Sequence, residues 1–145
     1  MLTKPQLQLL ENLKRVAKGL GDEGRCLTDL IGELSVCQSL NLIWKPSAGY
    51  DAVAKNGELV QIKSRKSWTT ANVNPSGRLG KFGRKAGYPF DKGVYVELGQ
   101  DFEVSGIWEM GVKTIKKLEI EESGGRPLHV GTFKSKARRL WPDSV

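Results

Sequence analysis

The 145 residues hold only one histidine and two cysteines. A single histidine excludes a site built on a histidine pair, and would leave any His-centred triad to His129, which reads as a structural or surface residue. Cys26 and Cys37 are too few for a disulfide scaffold; on one helix they would stand about 16 Å apart, too far for a bond. No apolar run approaches the roughly 18 residues of a membrane span. The opening stretch MLTKPQLQLLENLKR is too polar for a secretory segment. Repeats and low-complexity tracts are lacking too. Gly77, Gly80 and Gly83 make no dinucleotide loop, because no strand leads into them and Lys and Arg fill the gaps. These absences predict a soluble, cytoplasmic protein with reduced thiols, no membrane partner and no organic cofactor.

What is present is an ordinary globular composition, 39% hydrophobic and 27% charged. It predicts one domain over residues 1–145, with a core spanning about 27–122. The net charge is +7, and its placement is uneven. Residues 1–62 and 86–145 each balance to zero. The excess lies in a basic loop at 63–85: Lys63, Arg65, Lys66, Arg78, Lys81, Arg84 and Lys85, with no acid among them. A second basic run, 134–139, holds Lys134, Lys136, Arg138 and Arg139. Clustering of this kind suits either a polyanion-binding surface or a solvated loop.

Apolar residues at steps of three and four predict helices over 5–20 and 27–41, with Thr28 as the N-cap of the second. Glu33 borders the apolar stripe of that second helix, between Leu30 and Cys37. Residues 49–64 read as a hairpin around Asn56-Gly57. Residues 93–98 and 102–109 read as strands, and 111–121 as a helix with Val112, Ile115 and Leu118 or Glu119 inward. Residues 65–92 read as a long loop, and 134–141 as a short basic helix or an extended tail.

The hairpin admits two registers. A two-residue loop pairs Lys55 with Glu58 and sets Asp51 opposite Ile62. A three-residue loop, Lys55-Asn56-Gly57, pairs Ala54 with Glu58 and sets Asp51 opposite Gln61. The second puts Asp51, Gln61 and Lys63 on one face. Metal-assisted phosphodiester hydrolysis uses such a set. A carboxylate holds Mg²⁺, an oxygen-seeking cation; a second side-chain oxygen and the intervening Ile62 carbonyl help fix it; a lysine orients water and offsets charge at phosphorus. Taken singly, each residue has a plainer reading: Lys63 reaching solvent, Gln61 on a half-exposed face, Asp51 shaping a turn.

The pattern Gly49-Tyr50-Asp51 … Gln61-Ile62-Lys63, with Glu33 on a preceding helix, resembles the PD-(D/E)XK nuclease superfamily. The resemblance covers roughly residues 27–110. It implies an α/β restriction-endonuclease-like core, a central mixed sheet flanked by helices. It places Glu33 on the first core helix, Asp51 on the second strand and the Gln61-x-Lys63 triplet on the third. Tyr50 stands where the family has proline, and Gln61 where it usually has an acid. The implied metal ligands are Glu33, Asp51, Gln61 and the Ile62 carbonyl, for Mg²⁺ or Mn²⁺, with Lys63 positioning the water. DNA contacts would come from Arg65, Lys66, Trp68, Arg78, Lys81, Arg84 and Lys85; Trp68 could stack on a base or cover the sheet edge.

The expected activity is therefore a metal-dependent DNA endonuclease, structure-specific or weakly sequence-specific, and a homodimer if it cuts duplex DNA. Two other readings stand beside it. One is a non-catalytic nucleic-acid-binding module on the same fold; the other is an accessory subunit using its basic tract on an acidic protein.

Overall fold

A computed structural model describes residues 1–67, 77–85 and 87–142. Helix α1 (Lys4–Leu20) opens on a capping box, Thr3 with Gln6, and Pro5 sits in its first turn. A 3₁₀ turn (Gly21–Leu27) follows and runs without a break into α2 (Thr28–Leu40). Thr28 is therefore not the cap expected of it. Leu27 holds that position in helical conformation, and the Thr28 hydroxyl is buried without a hydrogen-bond partner. The chain then forms β1 (Ile43–Ser47), β2 (Tyr50–Val53), β3 (Leu59–Lys66), β4 (Lys92–Leu98) and β5 (Val104–Gly111). It closes with α3 (Val112–Lys117), a π turn (Leu118–Glu122), α4 (Val130–Lys136) and β6 (Arg138–Trp141).

Among the described residues, six strands make one mixed sheet in sequence order, with every neighbouring pair antiparallel except β3 and β4. Side chains alternate across it and build two cores. Val60, Ile62, Val94, Val96, Leu98 and Ile107 pack with Leu10 and Ala17 of α1 and Ile31 and Leu34 of α2. On the other face, Tyr95, Trp108 and Met110 pack with Phe82, Phe90, Ile115, Leu118, Leu128 and Phe133. The protein is thus α/β, a mixed sheet flanked by helices, as the sequence predicts. β1 is an unexpected edge strand, and the basic run 134–139 is divided between α4 and β6.

Gly32 sets the distance between α2 and the sheet. A Cβ there would meet Ser64 Oγ at 2.0 Å and Val96 Cγ1 at 3.1 Å. Only glycine lets the helix lie this low on β3 and β4, and Glu33 is the next residue along. Among the described residues, no helix is long and apolar enough to cross a membrane.

Candidate functional site

The hairpin adopts the three-residue loop. Ala54 N–H donates to Glu58 O at 2.9 Å, Gly57 N–H donates to Ala54 O at 2.9 Å, and Gly57 takes φ +88°. That positive φ is cheap for glycine and closes the turn. Ala52 pairs with Val60 and Val53 with Leu59, so Asp51 stands opposite Gln61. The β2–β3 ladder ends there. In place of the next main-chain bond, Asp51 Oδ2 accepts the Ile62 amide at 2.8 Å. Within a strand the N–H and C=O of one residue leave on the same side, so the Ile62 carbonyl also faces the gap beside Asp51.

Glu33 meets Asp51 from α2. The two carboxylate charges act on one another, and Trp44 Nε1 donates to Glu33 Oε1 at 3.3 Å. Burial, then the Asp51 charge, push the Glu33 pKa up to about 7. Asp51 is also raised by burial, against the pull of the Ile62 amide and the charges of Lys63 and Arg84. The contact between the carboxyls favours the proton on Glu33 and the charge on Asp51. Gln61 is 3% exposed, and its Oε1 has no hydrogen-bond partner. A buried amide oxygen left unpaired is costly, on the order of 1–3 kcal/mol, unless something accepts its lone pairs.

Lys63 follows on the same face of β3. Its Nζ lies 5.6 Å from the Phe82 ring centroid and beneath Gly80, where a Cβ would stand 3.2 Å from it. Burial lowers its pKa, opposed by Asp51 and reinforced by Arg84. Arg84 is exposed, and its charge acts on both Asp51 and Lys63. Lys81 and Lys85 are exposed beside it.

The other basic residues are placed differently. Arg65 shares the Lys63 face, but its guanidinium donates to the Ser64 and Arg78 carbonyls, and Arg78 donates to the Pro127 carbonyl. Both tie the β3 end to the segment before α4. Lys66 points to the opposite face, 7% exposed, with its Nζ 4.7 Å from the Phe102 ring centroid. Trp68 lies outside the described residues. In the C-terminal run, Lys134 pairs with Glu97 at 3.2 Å and Arg138 with Glu109 at 3.8 Å, while Arg139 lies over Trp108.

Sequence reasoning missed four contributors. Asp29 precedes Glu33 by one helical turn, and its charge acts on Glu33 and Lys63. The i, i+4 spacing could have pointed to it. Trp44 lies on the unexpected β1. Glu119 and Tyr88 form a clasp under the basic loop; an acid at an inward helical position was the available signal.

The donor set suits a hard divalent cation. Two carboxylates, an unpaired amide oxygen and a main-chain carbonyl supply oxygen only. Among the described residues, no group of three or more His, Cys, Asp or Glu side chains could hold a metal by itself. The amide and carbonyl would therefore have to complete any such set. A cavity of about 450 Å³ at the hairpin end, lined by Ala54, Asn56, Lys92, Glu109 and Arg138, is laced with ion pairs and includes none of these donors. No protein-family model matches the chain, and no curated protein matches it in sequence.

Proposed function

We propose that the protein is a metal-dependent DNA endonuclease of the PD-(D/E)XK type, with a restriction-endonuclease-like core. The observation that carries this reading is the unpartnered, buried Gln61 Oε1, set by register opposite Asp51, whose charge helps raise the pKa of Glu33. A divalent cation would use the amide oxygen and offset both carboxylates. The order of the residues, acid on α2, acid on β2 and Gln-x-Lys on β3, supports the same reading.

Glu33, Asp51, Gln61 Oε1 and the Ile62 carbonyl would hold the metal. When bound, Mg²⁺ or Mn²⁺ supplies Lewis acidity at the phosphate and acidifies water. The Ile62 amide keeps the Asp51 carboxylate aimed. Lys63, held over Phe82, offers a hydrogen bond that orients the attacking water and a positive charge that offsets the phosphate oxygens. Arg84, Lys81 and Lys85 draw the DNA backbone to the site. Two such sites, hence a homodimer, would be required to cut both strands of a duplex.

The test is nicking of supercoiled plasmid with Mg²⁺ or Mn²⁺, wild type beside Lys63→Ala. Metal-dependent nicking that Lys63→Ala abolishes is expected; its absence from the wild type on plasmid and branched DNA would overturn the reading. A second reading, a binding module without catalysis, is favoured by one observation: Gln61 leaves the site with two carboxylates. It predicts DNA binding that EDTA and Mg²⁺ leave unchanged, with no nicking.

A further inference from the structure

We propose that α3 is a second DNA-contacting element: Lys113, Lys116 and Lys117, locked beside Lys81, Arg84 and Lys85, grip the duplex backbone outside the cleavage site. The proposal rests on the DNA-binding part of the preceding reading and extends it to a helix with no part in the chemistry. The three lysines stand at i, i+3 and i+4, all exposed, on the side of α3 opposite buried Ile115. Among the described residues none of them forms an ion pair, whereas Lys14, Lys18, Lys92, Lys134 and Arg138 all do. Three unpaired like charges within little more than one helical turn repel one another, and a polyanion relieves that. Lysines, as compact point charges, suit sequence-independent phosphate contact.

Glu119 makes the helix and the loop one surface. It is fully buried in the π turn that continues α3. It accepts Phe82 N–H at 2.8 Å and Gly83 N–H at 3.0 Å from the basic loop, and Tyr88 Oη–H at 2.9 Å just beyond it. Lys116 Nζ lies 6.0 Å from the Tyr88 ring centroid, so the ridge begins where the loop ends. Phe82, clasped by Glu119, is also the ring under Lys63. The basic surface therefore continues from the cleavage site over the loop to α3.

The experiment is fluorescence anisotropy of a labelled duplex of about two helical turns, in EDTA, over a salt series. Lys113→Gln/Lys116→Gln/Lys117→Gln is compared with wild type. A control of equal charge change, Lys4→Gln/Arg15→Gln/Lys55→Gln, lies elsewhere on the protein. Loss of three phosphate contacts should flatten the slope of log K against log salt by about 2–3, and the control by less than about 1. An α3 variant matching wild type or the control overturns the proposal. So does failure of the wild type to bind duplex DNA, or tighter binding of duplex RNA. Wild type that binds with the expected slopes but nicks neither plasmid nor branched DNA sinks the nuclease reading and leaves α3 standing. Nicking with an unchanged α3 slope does the reverse.

Discussion

Asp51 Oδ2 accepts the Ile62 amide at 2.8 Å, a side-chain bond in the place where the β2–β3 ladder would have continued through the main chain. The separation of two strands thereby becomes a site. The gap admits the Glu33 carboxyl from α2, turns the Ile62 carbonyl inward and leaves Gln61 Oε1 without a partner. Each consequence can be measured.

Gln61→Glu adds a third carboxylate beside a pair whose pKa values burial already raises. Without metal the variant should melt below wild type, because like charges are crowded in a half-buried gap. With Mn²⁺ it should gain more stability than wild type, since affinity for hard cations rises with ligand charge. Thermal melting with and without Mn²⁺ reads both effects. Equal metal-induced shifts in the two proteins would remove Gln61 from the donor set.

Glu33 makes stability pH-dependent in a direction opposite to that of an ordinary salt-bridged acid. Its folded pKa of about 7 lies above the ordinary value of 4.5, so between these the folded state holds a proton that the unfolded state has released. Stability of the metal-free protein should therefore fall as pH rises from about 4.5 through about 7, and level off above. Glu33→Gln should flatten that decline and be more stable than wild type at pH about 8. Mn²⁺ affinity, which needs the charged carboxylate, should rise through the same window. Melting curves across pH and Mn²⁺ titration by calorimetry check the two halves separately.

Gly32→Ala should destabilise the fold by about 1–3 kcal/mol, because the new Cβ meets Ser64 on a packed strand. Lifting α2 also lifts Glu33, so Mn²⁺ affinity should drop with it. Adding Ser64→Gly should return much of both. Urea unfolding and Mn²⁺ titration of the single and double variants form the cycle.

Arg84→Gln removes a positive charge that acts on Asp51 and Lys63 without touching the proposed metal ligands. DNA affinity in EDTA should weaken and lose about one phosphate from its salt slope. The Lys63 pKa should rise, as a cationic neighbour is gone. An alkaline limb in the pH profile of nicking should shift upward with it.

Much of this was legible in the chain because the relevant signals are local. Asn56-Gly57 marks the hairpin, and the register that brings Asp51 to Gln61 is one of two that sterics allow. Turn geometry chooses between them through Gly57. β1 escaped because Ile-Trp-Lys-Pro-Ser carries no alternation and Pro46 argues against a strand; an edge position tolerates it. Thr28 looked like a cap because composition cannot show that a 3₁₀ turn will precede the helix without interruption. Lys66 joined the basic tract in sequence but left it in space, since alternation carries it to the opposite face of β3 from Lys63 and Arg65. The Glu119 clasp depends on a residue 37 positions from Phe82, a separation at which sequence pattern is silent.

The sheet has one parallel junction, and it falls beside the strand that carries Gln61 and Lys63. Two antiparallel strands need only a tight turn; two parallel ones oblige the chain to travel back the length of the sheet before starting again. Here the return journey crosses the face that Lys63 occupies, anchored by Leu79, Phe82 and Phe90. Cations carried on that journey arrive over the gap as a matter of route. Changes in the length or charge of the crossover thus offer evolution a way to alter what the site receives while the strands beneath it stay as they are.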